Sequence, residues 1–126
     1  MRLLIDSHAA IWATSNPSRL KPAVADALAD PANEIFFSLA TTWELSVKYA
    51  LGRLAFKPRH LHEACLTTGF VLLPITLDHA IGVGALERHH RDPFDRMLIA
   101  QASVERLTIV THDDAFRPYG VPILWT

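Results

Sequence analysis

Short apolar runs, each followed by a longer segment with helical spacing, recur along this chain and restrict its fold more than any other feature. Runs such as 3–5, 35–37 and 109–110 are too short for buried helices and apolar on both faces, which suits strands covered on two sides. The pattern predicts strands over 2–6, 34–38, 70–73, 107–111 and 121–125. Between them it predicts helices over 8–13 (with Ser7 as cap), 23–29, 41–51, 59–67, 77–86 and 92 to about 106. Gly82 and Gly84 weaken the fifth of these helices. Strands alternating with helices call for a three-layer α/β/α fold with a mainly parallel sheet. At 126 residues, without repeats or a linker, one domain over 1–126 is expected.

The best-marked helix start is Asp92-Pro93-Phe94-Asp95, leading into the apolar run from Met97. Proline suits the first helical position, where its missing N–H has no intrahelical partner. Asp92 is then the N-cap and Asp95 stands at the third helical position. Capping alone explains both acids, unless other acids meet them at the ends of other elements. The sequence supplies such acids: Asp6 directly after the first apolar run, Glu44 near the start of the helix after the second strand, and Asp113 after the fourth strand. In parallel sheets, ligands bind beyond the carboxyl ends of the strands, near the point where strand order reverses. All four acids can therefore face one edge.

Four converging carboxylates repel: two unit charges about 4 Å apart cost roughly 4 kcal/mol at an effective dielectric of about 20. An all-oxygen set of this kind suits Mg2+, or Mn2+. Such ions polarise phosphoryl oxygens and activate water, which points to phosphodiester hydrolysis. Each acid also has a plainer role open to it. Glu44 completes a capping-box pattern with Thr41 and stands one turn before Lys48. Asp6 fits a strand-end turn; Asp92 reads mainly as a cap with an assisting role, and Asp114 as turn chemistry.

The formal net charge of -1 advertises no general affinity for nucleic acid, so any such contact needs a local patch. Arg53, Lys57, Arg59, Arg88, Arg91 and Arg96 are the candidates for a phosphate path, against the plainer reading of a solvated surface. The seven histidines lack zinc-ligand spacing with cysteine partners. His8 and His112 flank the acidic positions and read as solvated or capping groups. Trp12, Trp43 and Trp125 read as core or interface residues rather than base-stacking platforms. One cysteine, Cys65, excludes an internal disulfide framework. With no apolar run near the roughly 20 residues of a membrane span and no signal-peptide pattern, the cytoplasm is the expected location.

These motifs together resemble a family. Leu4-Ile5-Asp6-Ser7-His8, Thr42-Trp43-Glu44-Leu45-Ser46-Val47-Lys48 with Leu51-Gly52-Arg53-Leu54, the block from His90 to Ala102, and Val110-Thr111-His112-Asp113 with Phe116 are similar to PIN-domain proteins. More narrowly, they resemble the VapC toxins of bacterial toxin–antitoxin pairs. The resemblance covers nearly the whole chain and is most specific in Asp92-Pro93-Phe94-Asp95-Arg96. It places the family's acidic site on Asp6, Glu44, Asp95 and Asp113. It implies a Mg2+-dependent endoribonuclease acting on RNA, a homodimer, and inhibition by a cognate antitoxin. A phosphorelay receiver, the nearest rival, needs an acidic pair after the first strand and a late lysine; here one acid stands there and the last lysine is Lys57. A non-catalytic interaction module is the remaining alternative.

Overall fold

The computed structural model describes all residues from Met1 to Thr126. Its centre is a five-stranded sheet built from β1 (Arg2–Ile5), β2 (Glu34–Ser38), β3 (Val71–Leu73), β4 (Thr108–Thr111) and β5 (Ile123–Trp125). Every neighbouring pair is parallel, and the order is β3-β2-β1-β4-β5. The fold class is the three-layer α/β/α arrangement that the alternating pattern called for. The chain steps outward from β1 to β2 and β3, then returns to the other side of β1 for β4 and β5. The order therefore reverses between β1 and β4, the place where ligands bind in sheets of this kind, beyond the strand ends. In register, Ile5 lies level with Phe37 of β2 and Val110 of β4, so the residues that follow these strands emerge on one edge.

Helices α1 (Ser7–Ser15), α2 (Pro22–Ala29), α3 (Leu39–Ala50), α4 (Pro58–Thr68), α5 (Leu77–Ala85) and α6 (Pro93–Glu105) cover the sheet. Alternate strand residues feed two cores, as the twofold period of a strand requires. Leu3, Ile5, Phe37 and Val110 pack with Ala9, Val24, Leu45, Leu61 and Cys65. Leu4, Phe36 and Ile109 pack on the other face with Leu98, Ile99, Ala102 and Phe116. Burial pushes the Cys65 thiol up to about 11, which leaves it an inert packing group. No helix is long and apolar enough to cross a membrane.

Two helix starts differ from the expected ones, and in both the chain prefers a cap closer to the strand. Ser7 does not cap α1; it is the first helical residue, and Asp6 accepts the capping bond from the Ala9 N–H at 2.8 Å. Helix α3 begins at Leu39 rather than Thr41, because Ser38 Oγ takes the Ala40 N–H at 2.9 Å. Thr41 therefore forms no capping box with Glu44, and its hydroxyl is buried without a partner. The remaining boundaries differ by a residue or two, as fraying ends do.

Helix α5 forms despite its glycines, helped by a reciprocal cap. Thr76 Oγ1 accepts the His79 N–H at 3.3 Å, and His79 Nδ1 accepts the Thr76 N–H at 3.0 Å. A Cβ added at Gly82 would lie 3.6 Å from the Ala100 Cβ and 3.7 Å from Val104 Cγ2, which is ordinary contact. Gly82→Ala should therefore stabilise the protein, by about 0.5–1 kcal/mol, through reduced unfolded-chain entropy and added contact with α6. Urea unfolding reads this directly; a loss of stability would show that α5 and α6 are packed too tightly for one methyl.

Candidate functional site

Asp6 leaves the carboxyl end of β1 and is 4% exposed. Its two oxygens are separately engaged. One caps α1 through Ala9, and the other accepts a hydrogen bond from the Thr111 hydroxyl at 2.5 Å. Burial raises its pKa above the ordinary 3.8, although the bonds from Thr111 and Ala9 favour the ionised form. Thr111 also accepts the Asp113 N–H at 3.0 Å, so one hydroxyl ties the end of β1 to the turn after β4. Asp113 itself is exposed; it caps the short 3-10 turn that follows, accepting the Ala115 N–H at 2.9 Å. Its neighbour Asp114 turns outward to Arg117 at 2.9 Å.

Glu44 stands in the middle of α3, buried, with Lys48 Nζ at 2.9 Å one turn on. Asp95 stands in the first turn of α6. The capping bonds of that helix go to Asp92, which accepts the N–H groups of Phe94 and Asp95 at 2.9 and 3.2 Å. Asp95 is therefore free of the capping role that the sequence left open to it. Its pKa is pushed up to about 8, first by burial and then by the charges of Asp92, Glu44, Asp113 and Asp6. One carboxyl group thus feels the other three candidate site acids and the capping Asp92. The structure thus places Asp6, Glu44 and Asp113 within charge range of Asp95, near the reversal of strand order.

No three of these side chains are gathered closely enough to form a metal-binding group by themselves. A small hard cation that keeps several waters and binds through one or two carboxylates does not need such a cage. The donor set is entirely oxygen, and the mutual repulsion around Asp95 is the kind of excess negative charge that a divalent cation relieves. In that sense the residues fit a hard divalent cation.

The electrostatics carry a testable sign. The carboxyl of Asp95 titrates higher in the folded chain than its ordinary 3.8, so folding favours its protonated form. Its contribution is fully present below about pH 4 and is lost as pH rises towards 8. Melting of the metal-free protein should fall across that window, the Asp95→Asn variant should show a flatter profile, and millimolar Mg2+ should restore much of the loss at pH 8. Melts in chelator and in Mg2+ between pH 5 and 8 decide it; parallel profiles for parent and variant would remove Asp95 as the source.

Several supporting residues had no distinct signal in the sequence. Ser38 donates to Gln101 Oε1 at 2.5 Å, linking the start of α3 to α6 and so the helices that carry Glu44 and Asp95. Gln101 Nε2 reaches the Pro74 carbonyl, and beside it the fully buried His79 bonds Glu105 at 2.9 Å. His90 is anchored by Tyr119, Nδ1 to Oη 2.6 Å, and brings Nε2 to 3.5 Å from Asp95 Oδ2 without a hydrogen bond. Arg96 borders the cleft formed with Arg88, His90 and Arg91, but holds that cleft together rather than offering a free cation. Its guanidinium is spent on the carbonyls of Val83, Leu86 and Glu87 and on the Tyr119 hydroxyl. Arg88 and Arg91 do line an open cleft with His90, next to Asp95, while Arg59 lies in a groove with Thr42, Ser46 and His62.

A family model described as the PIN domain matches residues 3–121. Among solved structures, the chain is similar to VapBC2 from Rickettsia felis bound to a DNA fragment from their promoter. That match has 15% identity and a TM-score of 0.75, over 100% of this chain and 99% of that one. It is also similar to DNA-bound VapBC from Salmonella typhimurium, at 17% identity and a TM-score of 0.72 over 99% and 98% of the two chains. A third similar structure is VapBC-5 from Mycobacterium tuberculosis, a member of the VapBC family of toxin-antitoxin systems, at 19% identity and a TM-score of 0.55 over 98% and 96%. At these identities the likeness is one of fold. No curated protein sequence matches the chain.

Proposed function

The chain belongs to the PIN-domain family, and from that premise we propose that it is a Mg2+-dependent endoribonuclease, the VapC-type toxin of a toxin–antitoxin pair. The observation that carries this reading is the gathering of acids: Asp95 lies near enough to Asp92, Glu44, Asp113 and Asp6 for their charges, after burial, to help push its pKa up to about 8. When bound, a divalent cation supplies charge neutralisation and polarises water and a phosphodiester oxygen. The chain's own residues do the rest. Asp6 is held in place by Thr111 and the start of α1. Asp95 would hold the cation in its ionised form, with the charge that burial and its acidic neighbours otherwise oppose. Glu44, steadied by Lys48, and Asp113 complete the oxygen set. Arg88 and Arg91 offer cations to the flanking phosphates, offsetting the gathered acids for a polyanionic substrate.

The partners follow from surface left apolar. Trp43 and Leu51 on and after α3 are 51% and 62% exposed, and Leu77 and Ile81 on α5 are 75% and 64% exposed. Two such faces suit an antitoxin and a second copy of the chain. RNA in the cytoplasm is the substrate this reading requires. Purified protein should cut RNA with Mg2+ or Mn2+ and stop when chelator is added. Its induction in cells should arrest growth, relieved by co-expressing the small neighbouring reading frame. RNA left intact by pure, folded protein with either ion would sink the nuclease reading.

A further inference from the structure

Three aromatic rings gather beside Asp6, on the side of β1 and β4. His8 and Trp12 lie one turn apart on α1, and His112 follows β4. The His8 and His112 rings meet edge to face, centroids 5.0 Å apart at 85°. Trp12 lies 4.9 Å from His112 and 5.7 Å from His8, tilted to both. The Arg19 guanidinium stands over the indole at 4.9 Å. Both imidazoles are exposed, whereas Trp12 is half-buried and packs its inner part on the first core. Both imidazoles are near enough to Asp6 for their charge to act on its carboxyl, and His112 adjoins Asp113 in the chain. The sequence pointed to core or interface for Trp12 and to solvent or capping for the histidines, and the fold packs Trp12 on the core and leaves both histidines exposed, with the three rings in mutual contact.

We propose that His8, Trp12 and His112, flanked by Arg19, form a stacking site for an unpaired nucleobase of the RNA strand whose phosphate lies over the carboxylates. The proposal rests on the nuclease reading. A gathering of acids on a chain of net charge -1 repels a polyanion, so part of the hold on the strand must come from contacts other than charge. Base stacking is such a contact, and it tolerates any base because every base has a π-face. The two imidazoles meet edge to face rather than stacked, and both residues are exposed, so a base can reach the pair from solvent. The core behind Trp12 fixes the platform, so little ordering is lost on binding. Arg19 adds a cation within reach of the strand's backbone. A base already stacked in a duplex cannot enter, so the site selects loops and single strands.

Fluorescence anisotropy in chelator, with a short labelled single-stranded RNA of mixed sequence, tests this on the intact protein. His8→Ala and His112→Ala should each weaken binding about tenfold, the loss of a stacked base. His8→Phe, which keeps an aromatic face, should hold near-parental affinity, and the exposed His60→Ala on α4 should change nothing. Duplex RNA of the same sequence should bind more weakly than the single strand. In Mg2+, the alanine variants should raise KM more than they lower kcat. Melts of every variant separate lost binding from lost folding. Parental affinity and KM in folded His8→Ala and His112→Ala proteins would overturn the platform while leaving the nuclease reading intact. A parent that cuts no RNA yet shows the aromatic dependence of binding would overturn the nuclease reading and keep the platform. A parent that binds duplex as tightly as single strand, or binds neither, overturns the platform.

Discussion

Asp95→Asn should lower Mg2+-dependent RNA cleavage by about two to four orders of magnitude while leaving a folded protein. The substitution keeps the size of the side chain and an oxygen acceptor but removes a full charge from the oxygen set. Charge stabilisation by a bound divalent ion contributes several kcal/mol, and each 1.36 kcal/mol is about tenfold in rate. The fold should survive because Asp92, not Asp95, carries the capping bonds of α6. Without metal the variant should melt higher than the parent near pH 8, since the repulsion from Asp92, Glu44, Asp113 and Asp6 is relieved. Asp6→Asn should be comparably inactive, and the double variant scarcely worse than either single one, because residues that act as a unit are not additive. Asp114→Asn, whose carboxylate faces Arg117, should stay active. Cleavage assays beside thermal melts of these proteins decide the matter. A folded Asp95→Asn protein with near-parental cleavage would return Asp95 to a structural role.

Phe37→Ala should cost about 3–5 kcal/mol of stability, which is a large part of the roughly 5–15 kcal/mol available to a domain of this kind. Phe37 is 2% exposed and sits in the middle of the sheet, level with Ile5 of β1 and Leu72 of β3. Its ring meets His62 of α4 edge-on at 5.2 Å, so its loss opens a cavity between sheet and helix layer. Backbone hydrogen bonds hold the surrounding strands in register, which limits collapse into the space. Urea unfolding should show a lower midpoint with an unchanged slope, the sign of lost stability rather than of a changed denatured state. A loss under about 1 kcal/mol would mean that the two layers close up around the missing ring.

What could be read in advance was local. The runs at 3–5, 35–37 and 109–110 identified strands covered on both faces, and Asp92-Pro93 marked the start of α6, because strand period and helix caps depend on residues a few positions apart. Alternation then implied a parallel sheet, and the acids at element ends suggested one edge. Motif resemblance added the PIN-domain family, which the family match over residues 3–121 bears out. Choices among near-equivalent neighbours were not legible. Ser38 outcompetes Thr41 as the cap of α3, and Asp6 outcompetes Ser7 at α1, because each cap is chosen by where the strand delivers the chain.

The tertiary structure alone decided what depends on strand order. With β1 next to both β2 and β4, Asp6 and Thr111 meet across 105 positions of sequence, and Ser38 meets Gln101 across 63. The same adjacency gathers His8, Trp12 and His112, whose sequence context is that of separate surface and core residues. Sequence spacing specifies which face of an element a side chain takes, since that face repeats every two or 3.6 residues. It carries no such rule for which elements lie side by side. That is settled by burying both faces of a five-stranded sheet at once, and it is what brings four scattered acids within charge range of one another.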